Sequence, residues 1–190
     1  MTKEELYKSL DYVNHSREKR SEMATLISQN PQIVVPLMEI AFTVDDPISN
    51  KACWVLEFTA KENLSFLYPH LEEFTTNLHR VRYDSAIRPL AKICEFLTEV
   101  YFSKNDIGLK NIMTENQLER ITSACFDWLI GEYKVAAKAY SITSLYQLGH
   151  KYDWVHPELK MILEQNYAAG SAAYKARARH ALAKLKKLSI

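Results

Sequence analysis

The residues of this chain whose types suit metal binding, nucleophilic attack or proton transfer are six histidines, three cysteines and a scatter of carboxylates. Their spacing sets out none of these chemistries. His15, His70, His79, His150, His156 and His180 contain no His-Glu-x-x-His pairing, and no Cys-x-x-Cys exists, so the sequence calls for no metal and no cofactor. Cys53, Cys94 and Cys125 stand singly at mostly apolar helical positions, which suits reduced thiols. Glu95 and Glu99 share a helix face, yet carboxylates one turn apart arise on any solvated helix. Four glycines are too few for a phosphate-cradling loop. No catalytic residue is expected.

The elements that must position any site are helices. Thr2-Lys3-Glu4-Glu5 and Thr114-Glu115-Asn116-Gln117 have capping-box spacing. Gly131, Gly149 and Gly170 each follow a helix-period run, where a left-handed residue can end a helix. Pro31, Pro47 and Pro157 follow Asn30, Asp46 and His156, and each reads as a first helical residue behind a capping side chain. Pro36 reads as a kink. Strand alternation is nearly absent, Ile33-Val34-Val35 being the one ambiguous run.

A basic residue, usually followed by Ala and by an apolar residue one turn on, recurs along the chain. It appears at Lys51-Ala52 with Val55, Lys138-Ala139 with Ile142 and Arg177-Ala178 with Ala181, with a degenerate copy at Arg88 and Ala91. The spacing fits repeats of the HEAT or armadillo length, with an insertion at about 103–113. The expected fold is all-α, an α-α superhelix of about ten helices spanning 1–190 as a single domain. An N-terminal helical hairpin over 1–30 caps four helix pairs over 31–190. Expected helices include Pro47 to Glu62, a stripe from Leu67 to Val81, and a helix capped by Asp84 that reaches Phe102.

Stacked helix pairs bury one elongated core and leave a hollow face lined by the second helix of each pair. The residues opposite each buried stripe are then the binding candidates. These are Asn50, Trp54, Glu57 and Lys61 on one helix, and Arg88, Lys92 and Glu99 on the next. Tyr133, Tyr140, Ser144 and Gln147 follow on the third, and Arg179, His180 and Lys187 on the last. Trp54 has two readings. It packs on a neighbouring helix or the N-terminal hairpin, or it is exposed and anchors a partner together with Tyr133 and Tyr140. Trp128 and Trp154 are assigned to the core and to a loop.

The formal charge of +1 hides an asymmetry, because the last twenty residues carry six Lys or Arg and no acid. Those cations either complement the negative end of the last helix or form a strip for phosphates. A polar N-terminus and the lack of a long apolar stretch point to a cytoplasmic protein without a membrane partner.

Around Asp46-Pro47-Ile48-Ser49-Asn50-Lys51-Ala52, Lys138-Ala139-Tyr140-Ser141 and Tyr174-Lys175-Ala176-Arg177-Ala178-Arg179-His180, the chain resembles a small bacterial HEAT-like repeat family from about residue 20 onward. Proteins similar to it sometimes carry an adenylosuccinate lyase label. The Ser-Ser-x-Met-Pro-x-Lys-x-Asn loop of that lyase superfamily has no counterpart here. A more distant likeness of fold is to HEAT-like alkylpurine DNA glycosylases, whose basic groove holds DNA and whose aromatic residues and carboxylate contact the lesion. The resemblance specifies fold rather than activity, and the residues read as a non-catalytic interaction scaffold that holds a protein partner on its concave face, with Trp54, Arg88, Tyr133 and Tyr140 as anchors. The alternatives are a DNA-binding or base-repair protein, with nucleic acid held through the basic last helix, and the lyase activity that the label names.

Overall fold

The computed structural model describes residues 1–103 and 108–188. Among them lie eleven α-helices and no strand. The helices are α1 (Lys3–Leu10), α2 (Arg17–Gln29), α3 (Val34–Ala41), α4 (Ile48–Glu62), α5 (Leu71–Asn77), α6 (Asp84–Phe102), α7 (Gly108–Ile112), α8 (Glu115–Ile130), α9 (Val135–Leu148), α10 (Val155–Tyr167) and α11 (Ala172–Lys187). No helix among the described residues is long and apolar enough to cross a membrane.

Both capping boxes form. The Thr2 hydroxyl accepts from the Glu5 amide while Glu5 accepts from the Thr2 amide, and Thr114 and Gln117 do the same at the start of α8. Asp46 also caps, its carboxylate accepting the Ile48 amide at 2.9 Å. Asp84 does not cap. It is the first residue of α6, and its carboxylate instead accepts the amide of Lys134, which ties the start of α6 to that of α9.

Other punctuation works differently from the expectation. Gly131 and Gly149 have φ of −63° and −64°, so neither ends its helix in the left-handed conformation. Gly149 is instead a point of close approach: a Cβ there would stand 2.0 Å from the His156 ring. Pro157 is the third residue of α10 rather than the first, and His156 is buried rather than capping its own helix. Pro36 sits in the first turn of α3, where a missing N–H leaves no helical bond unmade. The Ile33-Val34-Val35 run is helical.

The stripe from Leu67 to Val81 is buried throughout, but it is not one helix. Pro69 lies within a 3-10 segment, Leu64–His70, and a second such segment, Leu78–Arg80, follows α5. A proline has no amide to donate to the turn before it, so the regular ladder starts only beyond it. In the expected insertion, α7 seats Leu109 in the core against α6, while residues 104–107 fall outside the described residues.

Helices α2, α4, α6, α9 and α11 pack each against the next in chain order. The pairs α3 with α4, α8 with α9 and α10 with α11 also pack directly, and short α5 leans on α8. A single apolar cluster runs from Leu6 to Leu185 and takes in Cys53, Cys94, Cys125 and Trp128.

Candidate functional site

The row formed by α2, α4, α6, α9 and α11 carries a strip in which cations lie over aromatic rings. The Arg20 guanidinium of α2 sits 4.6 Å from the ring centre of Trp54 and 5.7 Å from that of Phe58, both on α4. Lys92 of α6 lies between Phe96, at 4.6 Å, and Tyr140 of α9, at 4.7 Å. Lys184 of α11 stands 5.1 Å from the Tyr146 ring of α9. Each such contact draws on the negative face of the ring and gains as water is excluded.

Carboxylates alternate with these cations. Arg88 of α6 donates to both oxygens of Glu57 on α4, at 3.0 and 2.5 Å, a forked pair that fixes the two helices in register. Burial works against the Arg88 charge, but Glu57 and the Tyr140 oxygen outweigh it and hold the guanidinium above its ordinary value. Lys92 pairs with Glu95 one turn along α6. The Glu99 carboxyl is pushed above its usual range, first by burial and then by the charge of Glu95, while Lys92 and Lys184 pull the other way.

This strip brings together Trp54, Glu57, Arg88, Lys92, Glu99 and Tyr140. Trp54, however, is only 8% exposed, covered by Arg20 and by His15, whose ring centre is 4.9 Å away. Of its two readings the packing one holds, and Trp54 is no free anchor. Tyr140 is half-buried, and Ser144 is fully buried with its hydroxyl donating back to the Tyr140 carbonyl, which removes it from the face. Asn50 is half-buried and donates to the Pro47 carbonyl.

The other candidates lie elsewhere. Tyr133 packs over Gly131 and lines a recess with Asn166 and Tyr174 at the start of α11. Arg179 donates to the Tyr167 hydroxyl in the groove between α10 and α11. His180 and Lys187 are exposed on α11, Lys61 is exposed at the end of α4, and Gln147 is half-buried on α9.

Comparison of the chain with protein-family models, curated proteins and solved structures finds no match.

Arg20, Phe58, Phe96 and Lys184 belong to the strip although the sequence did not single them out. Phe58 and Phe96 follow Trp54 and Lys92 by one helical turn and so share their faces, which was a usable signal. Arg20 lies within the expected N-terminal cap and meets Trp54 and Phe58 only through tertiary packing, so no local pattern marks it. The three thiols are all buried, and burial drives those of Cys53 and Cys94 well above the usual range, so neither is a ready nucleophile. Among the described residues no three His, Cys, Asp or Glu side chains are grouped to hold a metal ion.

Proposed function

We propose that this chain is a helical-repeat scaffold of the HEAT or armadillo type, an α-α superhelix that binds a protein partner along its row of second helices and performs no catalysis. The observation that carries this reading is the strip itself. Arg20 over Trp54, Lys92 between Phe96 and Tyr140, and Lys184 over Tyr146 spread preorganised cations and their partner rings over five successive second helices, with Glu57, Glu95 and Glu99 between them. Side chains already fixed by packing lose little freedom when a partner covers them, and aromatic and Arg groups concentrate interface energy. A segment carrying both signs of charge, laid across the row, is the complementary ligand.

The test is site-directed crosslinking. A photoreactive residue in place of Lys184 or of Glu99, both exposed on this strip, should form an adduct with the same defined protein. The adduct should vanish in a Lys92→Ala, Tyr140→Ser variant that keeps its melting temperature. An identical adduct from Lys8, exposed on α1, or none from either strip position, overturns the proposal.

A second reading rests on α11, whose Lys175, Arg177, Arg179, Lys184, Lys186 and Lys187 form no ion pair among the described residues. Such a helix suits a phosphate backbone. Duplex DNA binding should then weaken steeply with salt, and each lysine removed should lower the logarithmic salt slope by about one. Binding that ignores salt rejects it.

A further inference from the structure

The exposed tryptophan of this chain is Trp154, in the turn before α10. It is 57% exposed and lies face-on against Phe126 of α8, with ring centres 5.4 Å apart and planes 23° from parallel. Ile130, at the end of α8, is 62% exposed. The two border a groove of about 580 Å³ between α8 and α10, whose lining includes Glu119, Asp127 and Glu158 but no Lys or Arg.

On the other flank of α10 lies a second groove, of about 690 Å³, against α11. Its apolar floor is Tyr167, Leu182 and Ala183, and its rim carries Lys160, Arg179 and Lys186 against a single acid, Glu164. Met161 stands exposed on α10, the helix that both grooves share. Among the described residues none of the acids of the first groove and none of the cations of the second forms an ion pair.

An indole held by stacking has little freedom left to lose, so covering it gains hydrophobic free energy almost undiminished. Around it stand acids without a counter-charge. The recess across α10 supplies what this knob lacks, an apolar floor and three cations that outnumber the one acid on its rim. A knob and a matching recess on one chain join copies of that chain.

We propose that Trp154 and Ile130 of one molecule dock into the α10–α11 groove of a second copy, with Glu119, Asp127 and Glu158 facing Lys160, Arg179 and Lys186. This surface is built on α8, α10 and α11 and stands independently of the strip on the second helices.

Sedimentation velocity of the full-length chain tests it. The wild type should self-associate as concentration rises, and its dissociation constant should increase about tenfold or more between roughly 50 mM and roughly 500 mM NaCl, since the facing charges are screened. Trp154→Ala should abolish association. A variant with Asp127→Lys and Glu158→Lys should stay monomeric, as should one with Arg179→Glu and Lys186→Glu, each with a wild-type circular dichroism melt. Mixed together, these two reversed variants should associate, because each interface between them is again complementary. A wild type that stays monomeric throughout, association that survives Trp154→Ala, or a mixture that fails to associate overturns the proposal. The first of these outcomes would leave the acidic groove to a cationic partner of another kind.

Discussion

The Trp54 indole donates its Nε1 hydrogen to the backbone carbonyl of Ser85 at 2.8 Å. In a regular helix that carbonyl would receive the amide of the residue four positions on, which is Pro89 and has no amide hydrogen. Trp54 of α4 thus supplies the bond that α6 cannot make for itself. His156 serves α9 similarly. Its Nε2 lies 2.8 Å from the Tyr146 carbonyl, whose natural donor, the His150 amide, has turned to Gln147. A carbonyl only accepts, so Nε2 bears the hydrogen.

Trp54→Phe keeps an aromatic body but takes the indole donor from the carbonyl of Ser85, an exposed residue, and should lower stability by about 1 kcal/mol, the net worth of one hydrogen bond. Pro89→Ala returns the missing amide. In a Trp54→Phe, Pro89→Ala double variant most of the loss should be regained, a coupling that a denaturation cycle measures directly. Independent, additive losses would show that the bond does not matter. Trp54→Ala should be worse still, by about 3–5 kcal/mol, because it also opens a cavity.

The Glu57–Arg88 pair couples α4 to α6. Breaking a fully buried pair from one side costs about 3–5 kcal/mol. Here the Arg88 side chain is 29% exposed and that of Glu57 11%, so Arg88→Met should destabilise by about 2 kcal/mol after allowance for screening. Adding Glu57→Gln should recover much of this. Urea titration of the three variants is the check, and a double variant no better than the single one rejects the coupling.

Glu99 gives a pH dependence of definite sign. Burial, with Glu95 beside it, raises its folded-state value above the ordinary 4.5, so the folded chain holds that proton more tightly than the unfolded chain does. Its contribution to stability therefore falls as pH rises from the ordinary value through the raised one. Glu99→Gln should be more stable than wild type at neutral pH, with the gap closing in acid. Melting temperatures of both proteins across pH decide it, a gap that widens in acid being the contrary result.

Gly149 has a backbone that any residue adopts, so Gly149→Ala isolates the clash with His156, whose Cδ2 and Nε2 would lie 2.0 and 2.3 Å from the new methyl. Displacing the ring breaks its bond to the Tyr146 carbonyl, and the expected loss is about 2 kcal/mol. With His156→Ala already in place, the same alanine should be nearly neutral. Thermal melts of the four proteins separate the two outcomes.

Helix content was legible because it is written locally. Period-3.6 stripes and the two capping boxes set most of the helices, and α6 ends where its pattern ends, at Phe102. The stripe through α5 misled because burial continues past Pro69 while the hydrogen-bond ladder does not. Tryptophan exposure was hidden for a different reason. Trp54 is held by a carbonyl orphaned thirty-odd residues away, and Trp154 sits in a turn, where no periodicity reports which side faces water. Both are facts of pairing between distant segments, to which a one-dimensional pattern is blind.

The broken stripe has a dynamic consequence. Between the 3-10 segments Leu64–His70 and Leu78–Arg80, α5 contributes only seven residues of α-helix. Bonds in 3-10 turns have poorer geometry than those of a continuous α-helix, so residues 64–80 should open as a local unit at lower free energy than α6 or α9 and exchange their hydrogens first. Residues 64–80 would then yield while α6 and α9 keep their hydrogen bonds, a local hinge that opens without global unfolding.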